Sequence, residues 1–124
     1  MKNYVDNIVT PRYVFEKLGT ENFRVIDCTV YFELKKVGAS TIHSGYDNYL
    51  KNHIPGSAYL HMVDDLSNKD DPIHFSIALQ EKLNEKLSSI GISNDDEIVL
   101  YGSGFHMATT RAWWVLKMSG AQNI

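Results

Sequence analysis

Glu97-Ile98-Val99-Leu100-Tyr101-Gly102-Ser103-Gly104-Phe105-His106-Met107-Ala108-Thr109-Thr110-Arg111-Ala112-Trp113-Trp114 reads as a strand, a glycine-bearing loop and the start of a helix in one continuous run. The apolar residues through Tyr101 fit a short strand. Met107 to Met118 fits a helix, with Gly120 after it. A loop between a strand and a helix N-terminus aims backbone N–H groups at one point, and the helix dipole adds partial positive charge there. It can cradle an anion, or a nucleophile that has to stay ionised. The loop contains no cysteine, so the cradle stands without a reactive atom.

The rest of the chain extends the same alternation. Thr10-Pro11 reads as an N-cap and first helical residue with Gly19 as the stop, which predicts a helix over 11–18. Phe23-Arg24-Val25-Ile26-Asp27 predicts a strand ending in a carboxylate. Residues 31–43, with Gly38 and Ser40, read as loop. Tyr46 to Asn52 fits one or two helical turns, His53-Ile54-Pro55-Gly56 a turn, and Ala58-Tyr59-Leu60 a second strand. Asn68-Lys69-Asp70-Asp71-Pro72 is a polar loop. Ser76 then offers an N-cap for a helix whose apolar stripe is Leu79, Leu83, Leu87 and Ile90, closed by Gly91. Strands alternating with helices predict an α/β fold with a parallel central sheet and helices on both faces. Ligands bind such sheets at the carboxyl ends of the strands, where Asp27, Cys28 and the 102–107 loop fall.

A chain of 124 residues predicts one domain spanning 1–124. Hydrophobic content of 44% and charged content of 22% are ordinary for a globular domain. A net charge of −3 gives no basic surface for nucleic acid. No apolar run approaches the roughly 18 residues of a membrane span. Met1-Lys2-Asn3-Tyr4 lacks the apolar core of a secretion signal. The single cysteine excludes an internal disulfide and fits a reducing compartment, so a cytoplasmic location is the expectation.

The residues at the strand ends limit the chemistry. A P-loop needs a Lys-Ser/Thr pair that is missing. A dinucleotide fingerprint needs a third glycine where Met107 stands. Ser103 is out of register for a nucleophile elbow, and the plainest reading of Gly102-Ser103-Gly104 is a tight strand-to-helix turn. Cys28 follows a carboxylate, which disfavours its thiolate; a small buried side chain competes with any catalytic role. With one cysteine and no His-x-x-x-His pair, the five histidines make no zinc pattern. His53 is suited to fixing its turn by a hydrogen bond. His74 is either a functional side chain or an ordinary surface histidine. His106 lies within the loop and can face its centre. Arg111, one turn into the last helix, can serve a ligand or pair with a buried carboxylate such as Asp27. Of Trp113 and Trp114, one packs on the sheet and the other covers an end or an interface.

Tyr49-Leu50-Lys51-Asn52-His53-Ile54-Pro55-Gly56-Ser57-Ala58-Tyr59-Leu60 resembles the rhodanese signature, departing at Ser57, where Ala is usual. Val25-Ile26-Asp27 looks like the family's first core strand, and Gly91 to Tyr101 like the approach to its active-site loop. Arg111-Ala112-Trp113-Trp114 is similar to the first domain of tandem-domain sulfurtransferases of the thiosulfate and 3-mercaptopyruvate type. The resemblance runs from about Thr10 to Ile124 and implies a three-layer α/β/α rhodanese-like domain. In catalytic members a cysteine follows the strand-end tyrosine and carries sulfur as a persulfide to a thiophilic acceptor, its charge held by the loop amides. Gly102 occupies that position here.

The resemblance therefore implies a first domain with no catalytic residue of its own and no cofactor or metal. Its partners would be a C-terminal catalytic rhodanese domain and a small sulfur-donor anion. His74 matches a histidine that faces the inter-domain cleft in mercaptopyruvate-type members. The acid that can accompany it falls at Val63, with Asp64 one residue away. Ser103, Gly104, His106 and Arg111 are the other residues expected near the cleft. Family first domains continue into a further strand that this sequence does not reach. An open sheet edge would favour a partner chain, a homodimer or a swapped element. Two rivals stand beside this reading: a free-standing binding or regulatory module, and a phosphatase of related fold, which also needs the missing cysteine.

Overall fold

The fold is that of a computed structural model that describes residues 7–124; Met1–Tyr4, read above as lacking a secretion signal, lie outside them. Helix α1 (Pro11–Lys17) leads into strand β1 (Phe23–Asp27). A ribbon of β2 (Val30–Glu33) and β3 (Thr41–Ser44) follows, then α2 (Tyr46–Lys51) and β4 (Ala58–Tyr59). The chain closes with α3 (Gln80–Ser89), β5 (Glu97–Tyr101) and α4 (Met107–Met118). Thr10 caps α1 as expected: its hydroxyl accepts the Tyr13 N–H at 3.2 Å.

The central sheet is parallel, in the order β4-β1-β5, with Phe23 opposite Glu97 and Asp27 opposite Tyr101. Side chains alternate across it, as strand geometry requires. Phe23, Val25, Val99 and Tyr101 pack with Val14 and Leu18 of the α1 region. Ile26, Ile98 and Leu100 face the other way, onto Leu83 of α3 and Ala112, Val115 and Leu116 of α4. This is a three-layer α/β/α arrangement. Lys17 and the Tyr13 hydroxyl both engage the Glu97 carboxylate, tying α1 to the start of β5. On the outer side of β5, the Ile98 N–H donates to the carbonyl of Asn123 at 2.9 Å.

Two expectations are corrected. The stretch 31–43 is not loop throughout: β2 and β3 pair antiparallel, Val30 with Ser44 and Glu33 with Thr41, around a tip containing Gly38 at φ +89°. The ribbon escapes periodicity because only Val30 is buried. Its other side-chain ties are few: Phe32 stacks on Phe105 of the loop after β5 at 5.1 Å, and across the ribbon His43 Nε2 lies 2.7 Å from Glu33 Oε2. Ser76 does not cap α3. Its carbonyl accepts from Asn68 N–H, Ser67 pairs with Ile77, and Ala78 N–H donates to Leu66. These bonds hold residues 76–78 extended, and Leu79, 54% exposed, becomes the N-cap instead of the head of the stripe.

Candidate functional site

The carboxyl ends of β1 and β5 meet below the 102–106 loop. The Cys28 N–H donates to the Tyr101 carbonyl at 2.8 Å, and the Leu60 N–H to the Asp27 carbonyl at 3.0 Å. Asp27 is buried and turns back on its own strand end, accepting the Thr29 N–H at 2.9 Å. Thr29 in turn accepts the Ser103 N–H on its hydroxyl at 3.1 Å. Gly104, at φ +77°, bridges to Val30. The loop is therefore laced down onto the segment that follows β1. Its later amides turn into α4: Ala108 donates to Phe105, and Thr109 and Thr110 donate to His106.

Gly102 is the pivotal residue. Its φ does not demand glycine; what opposes a side chain there is the Thr109 hydroxyl. A Cβ there would run into Thr109 Oγ1 and lie 3.6 Å from the Thr29 nitrogen. The Thr109 hydroxyl fills that space, buried and with no hydrogen-bond partner among the described residues. Sequence reasoning singled out Gly102 but not the Thr109 side chain packed against it. Position 109 is one helical turn after His106, and no local signal marks it as facing back.

The one thiol of the chain is elsewhere. Cys28 is 1% exposed in the main core, and burial, reinforced by the neighbouring Asp27 charge, pushes its pKa up. It therefore remains a neutral thiol, packed as a small apolar side chain.

Two cavities flank the loop. One, of about 800 Å³, has His74 and Arg111 on walls of Phe32, Phe75, Phe105 and Trp114. The other, of about 460 Å³, is lined by Asp27, Tyr49, His53 and Ser103 among others. The expected cleft residues thus separate. His74 and Arg111 share a cavity, Ser103 belongs to the other, Gly104 pairs with the ribbon, and His106 is exposed at the N-cap of α4 and lines neither. Asp64 does not accompany His74: its carboxylate lies 3.0 Å from His61 Nδ1 and 2.9 Å from Lys69. Arg111 does not pair with Asp27 either. Its Nη2 donates to the Phe75 carbonyl and, at 3.2 Å, to Ser67 Oγ, while burial lowers its pKa. His53 ties back to α2 instead of across its turn, with Nδ1 2.6 Å from the Tyr49 carbonyl and the two rings stacked; the turn itself is closed by the Ser57 N–H donating to the Ile54 carbonyl at 2.9 Å. Trp113 donates to the Ile124 carbonyl, and Trp114, 45% exposed, stands on the cavity wall.

Among the described residues no three His, Cys, Asp or Glu side chains gather as a metal site, and no helix is long and apolar enough to cross a membrane.

A parallel sheet between two helical layers, with a glycine loop joining β5 to α4, defines a three-layer α/β/α class. A family model, the rhodanese-like domain, matches residues 10–124, and the chain belongs to that family. Over 122 residues it is 27% identical to a probable 3-mercaptopyruvate sulfurtransferase of Pseudomonas aeruginosa, covering 94% of this chain and 39% of that protein. It is also 27% identical to a putative thiosulfate sulfurtransferase of Caenorhabditis elegans, covering 94% and 46%. The crystal structure of SseA from Escherichia coli, described as a 3-mercaptopyruvate sulfotransferase, superposes with a TM-score of 0.80 at 21% identity. That match covers 94% of this chain and 42% of SseA. The chain spans less than half the length of each of these relatives.

Proposed function

We propose that this chain is the non-catalytic, N-terminal rhodanese-like domain of a tandem sulfurtransferase. It supplies one wall of the cleft in which a second domain's cysteine works. In that reaction the second domain's thiolate attacks the outer sulfur of thiosulfate, expelling sulfite, or the thiol sulfur of 3-mercaptopyruvate, breaking its C–S bond and expelling pyruvate as the enolate takes up the thiol proton; the persulfide so formed passes its outer sulfur to a thiophilic acceptor. The observation that carries this reading is Gly102 at the strand end, with Thr109 filling the space of the absent side chain. A domain that formed a persulfide at this loop would need a thiol there, and the chain's one thiol is sealed in the core.

The cavity holding His74 and Arg111 supports the second half of the reading. It opens between the loop and the ribbon, with the exposed His74 imidazole beside apolar walls, an arrangement that offers a small anion a hydrogen-bond donor. His74 is the residue this reading assigns to contact the donor. The gene sequence beyond codon 124 tests the proposal. It predicts a second rhodanese domain with cysteine directly after its strand-end tyrosine. In that two-domain protein, His74→Ala should lower kcat/KM for the sulfur donor by about tenfold or more, equivalent to losing one hydrogen bond in the transition state. Unchanged kcat/KM would contradict the placement of the cleft.

A further inference from the structure

His74 sits in a segment with an unusual backbone. Phe75, next to it, has φ +63°, in the left-handed region that bulky residues avoid. Most ties of residues 68–76 are internal or local. The Asp70 N–H donates to Asn68 Oδ1, the Ile73 N–H to Asp71 Oδ1, and both the N–H and the hydroxyl of Ser76 to the Ile73 carbonyl. None of these bonds fixes the turn to the body of the domain.

Arg111 does. From α4 its Nη2 reaches the Phe75 carbonyl, and its guanidinium carbon lies 6.0 Å from the centre of the Phe75 ring. The same nitrogen donates to Ser67 Oγ. Ser67 is buried, and its hydroxyl is anchored on the Met62 carbonyl at 2.8 Å. The guanidinium therefore joins the beginning of the segment, its left-handed residue and α4. Both bonds leave one nitrogen at the far end of the guanidinium, a reach that the lysine side chain, one bond shorter, does not match.

We propose that Arg111 is a positioning residue that clamps the Ile73–Ser76 turn in its left-handed bend and so fixes His74 on the cavity wall. This rests on the reading of that cavity as the donor cleft. It assigns Arg111 an action through the loop instead of on the anion.

Backbone hydrogen exchange on the 124-residue chain, with no donor present, tests the clamp separately from the cleft. The reporters are the hydrogen-bonded amides of Asn68, Ile73 and Ser76, with Val25 and Ile26 of β1 as controls. In Arg111→Met the reporters should exchange about tenfold faster or more while the controls stay unchanged. Arg111→Lys should fall on the same side, and it keeps the test available if the methionine variant does not fold. Unchanged reporter exchange in the folded variants would overturn the proposal. So would equal acceleration of reporters and controls, which would make Arg111 a general stabiliser. Loss of thiosulfate-induced shifts at the His74 ring in either variant, with reporter exchange intact, would overturn it in favour of direct anion binding. Failure of thiosulfate to shift His74 in the unaltered chain would count against the cleft alone, leaving the clamp to the exchange result.

Discussion

The hydroxyl of Thr109 occupies the space that any side chain on residue 102 would need. The two positions are coupled by volume: a larger residue at 102 demands a smaller or rotated one at 109. Gly102→Cys alone should destabilise the domain by about 1–3 kcal/mol, the usual consequence of overpacking. In a Thr109→Ala background the loss should fall by at least half. Thr109→Ala itself should be close to neutral, because the hydroxyl it removes is buried without a partner. Urea midpoints of the four proteins give the coupling directly. Equal losses in both backgrounds would contradict the contact.

The same pair decides whether the loop still functions as a cradle. Gly102→Cys/Thr109→Ala places a thiol at the head of α4 with room around it. Treated with thiosulfate, it should gain the mass of one sulfur atom, and the single Gly102→Cys variant should gain less. No gain in the double variant would show that the amides, with Ser103 held by Thr29, no longer converge on that point.

Tyr59 links the ribbon to the sheet. Its hydroxyl accepts the Gly45 N–H at 2.8 Å and donates to the Thr29 carbonyl at 2.7 Å. Tyr59→Phe would remove one partner from each backbone group and leave their mutual bond, Gly45 N–H to the Thr29 carbonyl at 3.1 Å. The expected loss is about 0.5–1.5 kcal/mol, readable by thermal or urea denaturation. A loss below about 0.5 kcal/mol, typical of surface positions, would mean that water replaces the hydroxyl.

Alkaline pH should weaken the fold. Burial raises the pKa of Cys28 and, as the leading cause, those of Tyr49, Tyr59 and Tyr101. From about pH 8 the unfolded chain begins to release these protons, the thiol first and the phenols above about pH 9, while the native state keeps them, so stability falls as pH rises. Well below pH 8 these groups add no slope. Cys28→Ala should flatten the earliest part of the decline, near about pH 8 to 9.5, relative to the unaltered chain. Urea midpoints collected from pH 7 to 11 check the sign; a midpoint that climbs across this range would contradict it.

The parts of the fold legible in the sequence were those with strong local chemistry. The Thr10 cap, the apolar runs of β1 and β5, the turn over 53–56 and α4 all stand where the residues put them. The ribbon was not legible, because Tyr31, Phe32 and Glu33 are all exposed and leave no buried face to alternate with. The start of α3 was missed because the pairing of Ser67 with Ile77 overrides a good N-cap residue. At the site, the glycine at 102 is plain from one position. The packing of Thr109 against it and the Ser67–Arg111–Phe75 contacts could not be read, because they join residues 7, 44 and 36 apart by side-chain direction alone. Spacing carries no trace of such contacts.

The central claim is that this chain cannot carry sulfur by itself. Turnover of thiosulfate and of 3-mercaptopyruvate with cyanide as acceptor, measured on the 124-residue chain and its Cys28→Ser variant, tests it most directly. The account predicts no thiocyanate above the uncatalysed background from either protein. Turnover by both would mean that the chain moves sulfur without a thiol. Turnover abolished by Cys28→Ser would mean that the buried thiol opens to donor. Either result would contradict the reading of Gly102 as the place where this chain's chemistry is missing.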